Sequence, residues 1–323
     1  MAGRESLDDK LAAIRELRGQ TLLPEQIAQL RKRIGDKSNL VVAAAAAIAG
    51  ESTLAELAKD LEAAFDRFLV NPLKDDKLCR AKIAVVDALD KMEHQIPDVF
   101  LKAARHVQFE PVWGGSEDSA PPLRAAAVIA LARAEGTHSL PVLVDALADP
   151  AKDVRIAAAV ALGAVGSESA GLLLRFKVRI GDKDPDVFSE CLLGLLTVDP
   201  KENLPIVSGF LDPGNPFACE AAAMALGKSR LAEALDPLKE CLERSHSREM
   251  RQQILLAVAI LRRPAAIDYL IELVSTEPEP NAVEALSALG IYKDDPRLRA
   301  RVEGIAKGRG SRPIQSAFDR EFV

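Results

Sequence analysis

Read from Val154, the apolar positions of the segment DVRIAAAVALGAVG fall at offsets 0, 4, 7 and 8, on Val154, Ala158, Ala161 and Leu162. Those offsets share one side of a helix, so the segment predicts an amphipathic helix whose buried side is built mostly of small residues. The pattern recurs along the chain. Its starting residues are Leu40, Ala81, Leu123, Val154, Val187, Ala218, Met250 and Asn281, spaced by 41, 42, 31, 33, 31, 32 and 31 residues. A near-constant period over the later units predicts stacked helical repeats.

Offset seven decides how the helices stack. It holds Ala47, Ala88, Ala130, Ala161, Gly194, Ala225, Ala257 and Ala288, while offset eight is always apolar: Ile48, Leu89, Leu131, Leu162, Leu195, Leu226, Val258 and Leu289. A small residue beside a large one lets a neighbouring backbone approach and fills the space beyond it. Helix propensity alone would not keep one column small in every unit.

A second, less regular helix precedes each of these. SLPVLVDAL, NLPIVSGFL and ALDPLKECL place Pro141, Pro205 and Pro237 thirteen residues before the next start, where the first turn of a helix tolerates a missing N–H. Asp76, Asp118, Asp149 and Asp182 lie five residues before a start, placed to accept from the free N–H groups of a helix beginning.

Two helices per unit, with DPAKDVRIAAAVALGAVG as the start and body of the second, resemble HEAT repeats. More narrowly, they are similar to the short bacterial repeats named after phycobilin lyases. The resemblance spans residues 24–307 and is strongest over 121–290. It implies an all-α fold, a right-handed α-solenoid of about eight HEAT-like helix pairs with capping helices. First helices would lie on the convex side and alanine-rich second helices would line the concave one. The arginine typical of such repeats, one place after the start, stands here as Arg124, Arg155 and Arg251. Phe188 and Cys219 replace it in two units, interrupting an inter-repeat polar ladder there.

The expected organisation follows. Residues 1–35 form N-terminal capping helices and the first helix of repeat 1. Residues 36–120 form longer, irregular repeats 1–2 with a Trp-containing insertion, and 121–295 the regular repeats 3–8. Residues 296–307 make a basic C-terminal capping helix, and 308–323 a flexible tail.

Composition narrows the chemistry. The 323 residues exceed the size at which one core keeps growing, and aromatics are only 4% against 48% hydrophobic residues overall. Charged residues make up 28% and the net charge is −6, the wrong sign for a phosphate-binding solenoid, so no nucleic acid is expected as partner. The longest apolar run, residues 40–50, is too short to span a bilayer, and no membrane association is expected. The opening MAGRESLDDK predicts no secretory signal. Cys79, Cys191, Cys219 and Cys241 are widely spaced without metal-ligand spacing, which predicts reduced thiols, a cytoplasmic location, no metal and no other cofactor. His94, His106, His138 and His246 fall in different units, and no nucleophile or phosphate-binding motif is present.

The sequence therefore predicts a non-catalytic scaffold or adaptor that binds a protein or peptide through its concave face and the loop around Trp113. The alternative is an assembly chaperone or lyase-like partner subunit gripping a small molecule or nascent protein. Three departures from the repeat supply candidate contacts. The insertion QFEPVWGGSEDSAPP carries the lone Trp113, a residue type favoured at interface centres. Offsets two and three predict an inner stripe that is apolar in early units (Ile83, Ala84, Ala125, Ala126, Ile156, Ala157) and polar in later ones. Its polar members are Ser189, Glu190, Glu220, Gln252, Gln253 and Glu284. The tail places Ile314, Phe318 and Phe322 four residues apart, an apolar stripe if helical, able to dock on a partner or on its own solenoid.

Overall fold

Prolines and short polar caps set where the helices begin. The computed structural model describes residues 5–93 and 97–322, which fall into two compact units, Met1–Ala170 and Gly171–Val323. His94 lies outside the described residues.

The first unit opens with α1 (Leu7–Arg15), whose N-terminus is closed by a reciprocal capping box between Ser6 and Asp9. It continues through α2 (Pro24–Ile34), α3 (Asn39–Glu51), α4 (Ala58–Val70), the single turn α5 (Pro72–Asp75), α6 (Arg80–Lys91) and α7 (Pro97–Ala104). A two-stranded ribbon follows, β1 (Phe109–Val112) and β2 (Gly115–Asp118), then α8 (Pro121–Glu135), α9 (Leu140–Leu147) and α10 (Lys152–Val165). The second helices α3, α6, α8 and α10 pack on one another in sequence, and α2, α4, α7 and α9 each pack on the second helix of their own pair.

Helix α11 (Glu168–Ile180) leads into the second unit. That unit holds α12 (Pro185–Val198), α13 (Pro200–Ser208), α14 (Pro216–Ser229), α15 (Leu235–Arg244), α16 (Arg248–Ile260) and α17 (Pro264–Thr276). It ends with α18 (Glu279–Leu289), α19 (Pro296–Gly308) and α20 (Arg312–Phe322). Here α12, α14, α16, α18 and α20 form the continuous stack. Both units are thus all-α solenoid in construction, the β-ribbon apart.

The small column works by close approach. A Cβ added to Gly227 would meet the Ala257 carbonyl oxygen at 2.5 Å, and one added to Gly50 would meet the Ala88 Cα at 2.7 Å. Ala88 and Ala257 are offset-seven residues of the following helix, so a glycine near the end of one second helix rests on the small position of the next.

Of the predicted aspartates, Asp76 bonds N–H groups of a first turn as expected, whereas Asp149 and Asp182 accept from the N-cap residues just before α10 and α12. Asp76 accepts from the Ala81 and Lys82 N–H groups at 2.8 and 3.1 Å, Asp149 from Ala151 at 2.8 Å, and Asp182 from Asp184 at 3.0 Å. Basic residues then seat on them. Arg124, 4% exposed, makes two bonds to Asp149 at 2.8 and 3.0 Å and one to Asp118 at 2.7 Å. Lys82 pairs with Asp76 at 3.1 Å, both fully buried. Where Phe188 breaks the ladder, its ring lies 5.4 Å from Phe210 and 5.8 Å from Phe217 instead. Where Cys219 breaks it, its sulfur meets that of Cys241 at 3.5 Å.

Three expectations need correction. Pro205 is not in a first turn but inside α13, because Asp199 caps that helix and Pro200 starts it earlier. The insertion after residue 108 is a paired hairpin rather than an irregular loop. The segment 308–323 is not a flexible tail: Arg312–Phe322 is helix α20, packed on α18, with Ile314, Ala317, Phe318 and Phe322 all buried. Helix α19 is therefore not the closing cap but the first member of a further pair. Ile314 follows Asn281 by 33 residues and Phe318 and Phe322 occupy offsets four and eight, so α20 continues the period. Offset seven is now Glu321, and the preceding helix again meets it with a glycine: a Cβ added to Gly290 would lie 3.2 Å from the Glu321 Cβ.

Candidate functional site

The ribbon is built inside out. In a strand, alternate residues face opposite sides. From residue 107 onward the odd positions Val107 and Phe109 are exposed (53% and 60%), while the even positions Gln108 and Glu110 turn toward the protein, with Gln108 only 2% exposed. Along this stretch the chain therefore hides polar Gln108 and shows water Val107 and Phe109, with Ser116 and Glu117 of β2 exposed beside them. Val112 is also exposed, and Trp113 stands fully in solvent at the tip. Its turn is closed by Gly114 at φ +94°, where a side chain would be strained.

The buried face explains why the ribbon is held. Three donors converge on Gln108 Oε1: the Cys79 thiol at 3.3 Å, Lys82 Nζ at 3.0 Å and His106 Nε2 at 3.1 Å. Gln108 Nε2 donates in turn to the Asp76 carbonyl at 2.9 Å and to Glu110 at 2.7 Å. Glu110 also accepts from Ser119 Oγ at 2.6 Å and from the Leu78 N–H at 2.5 Å. Leu78 and Cys79 both carry positive φ, 58° and 53°, a costly backbone that this network holds in place.

The ionisation states fit that structural role. Burial pushes the Cys79 thiol up to about 11, leaving it a protonated donor. Burial, aided by the nearby Lys82 charge, lowers His106, while its bond to Gln108 opposes them. Burial works to raise Glu110, but hydrogen bonds from Ser119, Leu78 and Gln108 together hold it below the ordinary carboxylate range. None of these groups faces solvent as a free nucleophile or base.

Beside the exposed face lies a cavity of about 730 Å³. Its apolar walls include Val107, Phe109, Pro121, Val142, Ala146 and Pro150. Its charged groups are Arg105, Arg124, Glu117, Asp118, Asp145 and Asp149. Arg124 engages Asp118 and Asp149, and Asp118 lies below its usual range: burial raises it, but N–H bonds from Ala120 and Gln108 and the Arg124 guanidinium outweigh that. Glu117 and Asp145 are the exposed carboxylates of the lining.

The remaining predicted contacts divide. In the second unit Glu220, Gln252 and Gln253 are exposed, and Glu220 lines a smaller cavity of about 420 Å³ with His246, Arg244 and Met250. Glu190 is tied to Lys228 of the next second helix. Glu284 is 7% exposed and paired with Arg251 at 3.0 Å, so it is a tie between α16 and α18 rather than an open contact. Ser189 is buried. Ile314, Phe318 and Phe322 are buried against their own chain, with the two rings stacked at 5.1 Å, and are unavailable to a partner. Sequence reasoning found Trp113 but missed Gln108, Glu110, Lys82 and Phe109, although the alternation in VQFEPV before Gly-Gly was a hairpin signal.

The family model for HEAT repeats matches residues 115–176, 173–259 and 220–290, more than half of the chain. The chain belongs to the HEAT-repeat family. No curated protein matches it in sequence. Similar solved structures include human deoxyhypusine hydroxylase in complex with glycerol, 19% identical, over 82% of this chain and 96% of that one, TM-score 0.35. The complex of CpcE and CpcF of phycocyanin lyase from Nostoc sp. PCC7120 is 16% identical, over 95% and 97%, TM-score 0.37. Kap121p bound to Pho4p is 14% identical, over 97% of this chain and 39% of that one, TM-score 0.42. These likenesses concern the fold. Among the described residues no helix of this HEAT-repeat chain is long and apolar enough to cross a membrane.

Proposed function

We propose that this HEAT-repeat protein is a non-catalytic scaffold that binds a partner protein, with the apolar face of the β1–β2 ribbon and the adjoining cavity as its docking surface. The observation that carries the reading is the inverted ribbon. Folding stabilises a chain by removing apolar surface from water. A hairpin that buries Gln108 and leaves Val107, Phe109, Val112 and Trp113 outside forgoes that gain. Exposed apolar clusters with acidic neighbours are characteristic of interaction sites. The ribbon is also fixed by its buried network, so little conformational entropy is lost when a partner seats on it.

The inner stripe is a secondary surface in this reading, because Glu190 and Glu284 serve as inter-helix ties and leave Glu220, Gln252 and Gln253 as its open members. The lyase-like alternative asks for cysteine or histidine turned to a groove; the four cysteines are buried, and His246 in the smaller cavity is the histidine that would serve it.

Quantitative capture from a lysate of the source organism tests the reading. Phe109→Ser with Trp113→Ala should abolish a partner that the unaltered chain retains, and Glu220→Ala with Gln252→Ala should leave it. The reverse pattern would move the docking surface to the second unit.

A further inference from the structure

We infer that the cavity beside the ribbon takes a basic side chain next to a large apolar one on an extended segment of the partner protein. The inference rests on the docking surface proposed above and adds its chemistry.

The charges decide it. Two cations, Arg105 and Arg124, face four carboxylates in the cavity lining, Glu117, Asp118, Asp145 and Asp149. Four of the five Arg124 N–H groups are engaged, by Asp149 at 2.8 and 3.0 Å, Asp118 at 2.7 Å and the His106 carbonyl at 3.0 Å. Buried and committed to these partners, it neutralises the two inner carboxylates. Glu117 and Asp145 remain exposed at the mouth, opposed by Arg105 alone. The site therefore has apolar walls, an internally paired Arg124 cluster, and a net negative charge over its exposed rim residues.

A second copy of this chain would bring the same carboxylates against themselves, which disfavours self-pairing. An acidic segment is disfavoured for the same reason. A lysine or arginine satisfies the rim, lays its aliphatic stem along Val107 and Pro150, and can place its charge over the exposed Phe109 ring. The neighbouring apolar side chain fills the space between Val142, Ala146 and Pro121. A volume of about 730 Å³ lies within the range of pockets that enclose a drug-sized ligand, enough for two adjacent side chains.

A displayed library of short randomised peptides, selected on the full chain, tests this. Enriched clones should carry Lys or Arg beside Leu, Ile, Phe or Trp and should lose binding to Phe109→Ser. Asp145→Asn with Glu117→Gln should weaken the synthesised peptides about three- to tenfold, as for two partly exposed ion pairs, and Arg105→Ala should not weaken them. All four residues are exposed, and thermal melting of each variant checks that it is folded. Clones that need Phe109 but lack basic residues, or ignore the double variant, overturn the inference and leave the docking surface standing. Clones indifferent to Phe109→Ser, or a library yielding no binder, overturn both.

Discussion

Replacing Gly227 by alanine should destabilise the protein, although alanine is the better helix former. The new Cβ would lie 2.5 Å from the Ala257 carbonyl oxygen, 3.0 Å from its Cα and 3.1 Å from its carbonyl carbon. These are backbone atoms of α16 and cannot rotate away. Ordinary carbon contacts begin near about 3.5 Å, so α14 and α16 would have to part locally by about 1 Å. Overpacking of this kind costs about 1–3 kcal/mol, while removing a helical glycine returns about 0.5–1 kcal/mol. The balance is a loss of about 1–2 kcal/mol, or roughly 2–8 °C in Tm for a unit of this size. Gly304, exposed in α19 with nothing within 4 Å of its added Cβ, is the control: Gly304→Ala should gain about 0.5–1 kcal/mol. Far-UV circular dichroism during heating and urea titration reads both. A Gly227→Ala protein that melts higher, as Gly304→Ala should, would refute the close-approach account of the stack.

Further outcomes follow from named contacts. Arg124→Leu strands Asp118 and Asp149 and should cost about 3–5 kcal/mol in urea unfolding. Because Asp118 is held below its ordinary value in the folded state, its stabilisation is present above the unfolded carboxylate range and is lost as pH falls through the depressed value. The variant should flatten that acid limb of a stability-against-pH series. Phe318→Ala should cost about 3–5 kcal/mol in melting, marking α20 as part of the fold. Trp113, the only tryptophan, should fluoresce as a solvated indole and be freely quenched by acrylamide, and quenching should fall when a partner binds. A bulky thiol reagent should modify the four buried cysteines only on unfolding.

Much of the fold was legible because it is periodic. The columns from Leu40 to Asn281 located the second helices, and the small offset-seven residues announced their stacking before any coordinates. Alanine at 88 and 257 is readable only against the glycines at 50 and 227 that rest on it, a relation between units that no single helix displays. The ninth unit was hidden by its own ending. Gly308-Arg-Gly looks like a flexible exit, yet Gly310, at φ +63°, only terminates α19 and lets α20 turn back. Phenylalanine and glutamate also replaced the aliphatic and small residues that define the column elsewhere.

The site was half legible. Trp113 stood out by composition, but its meaning depends on which ribbon face is buried. Cys79 and Lys82, from a distant part of the chain, settle that together with neighbouring His106, through one glutamine oxygen. The acids of the inner stripe misled for a related reason. Glu190 and Glu284 look like open contacts at helical offset three, and only the neighbouring helix supplies the Lys228 and Arg251 that engage them.

Amide hydrogen exchange of the chain, alone and with a captured partner, tests the central claim most directly. The account predicts new protection over residues 107–118 and 142–151, the ribbon and the cavity wall facing it. Protection confined to the exposed stripe around Glu220, Gln252 and Gln253, with the ribbon unchanged, would contradict it.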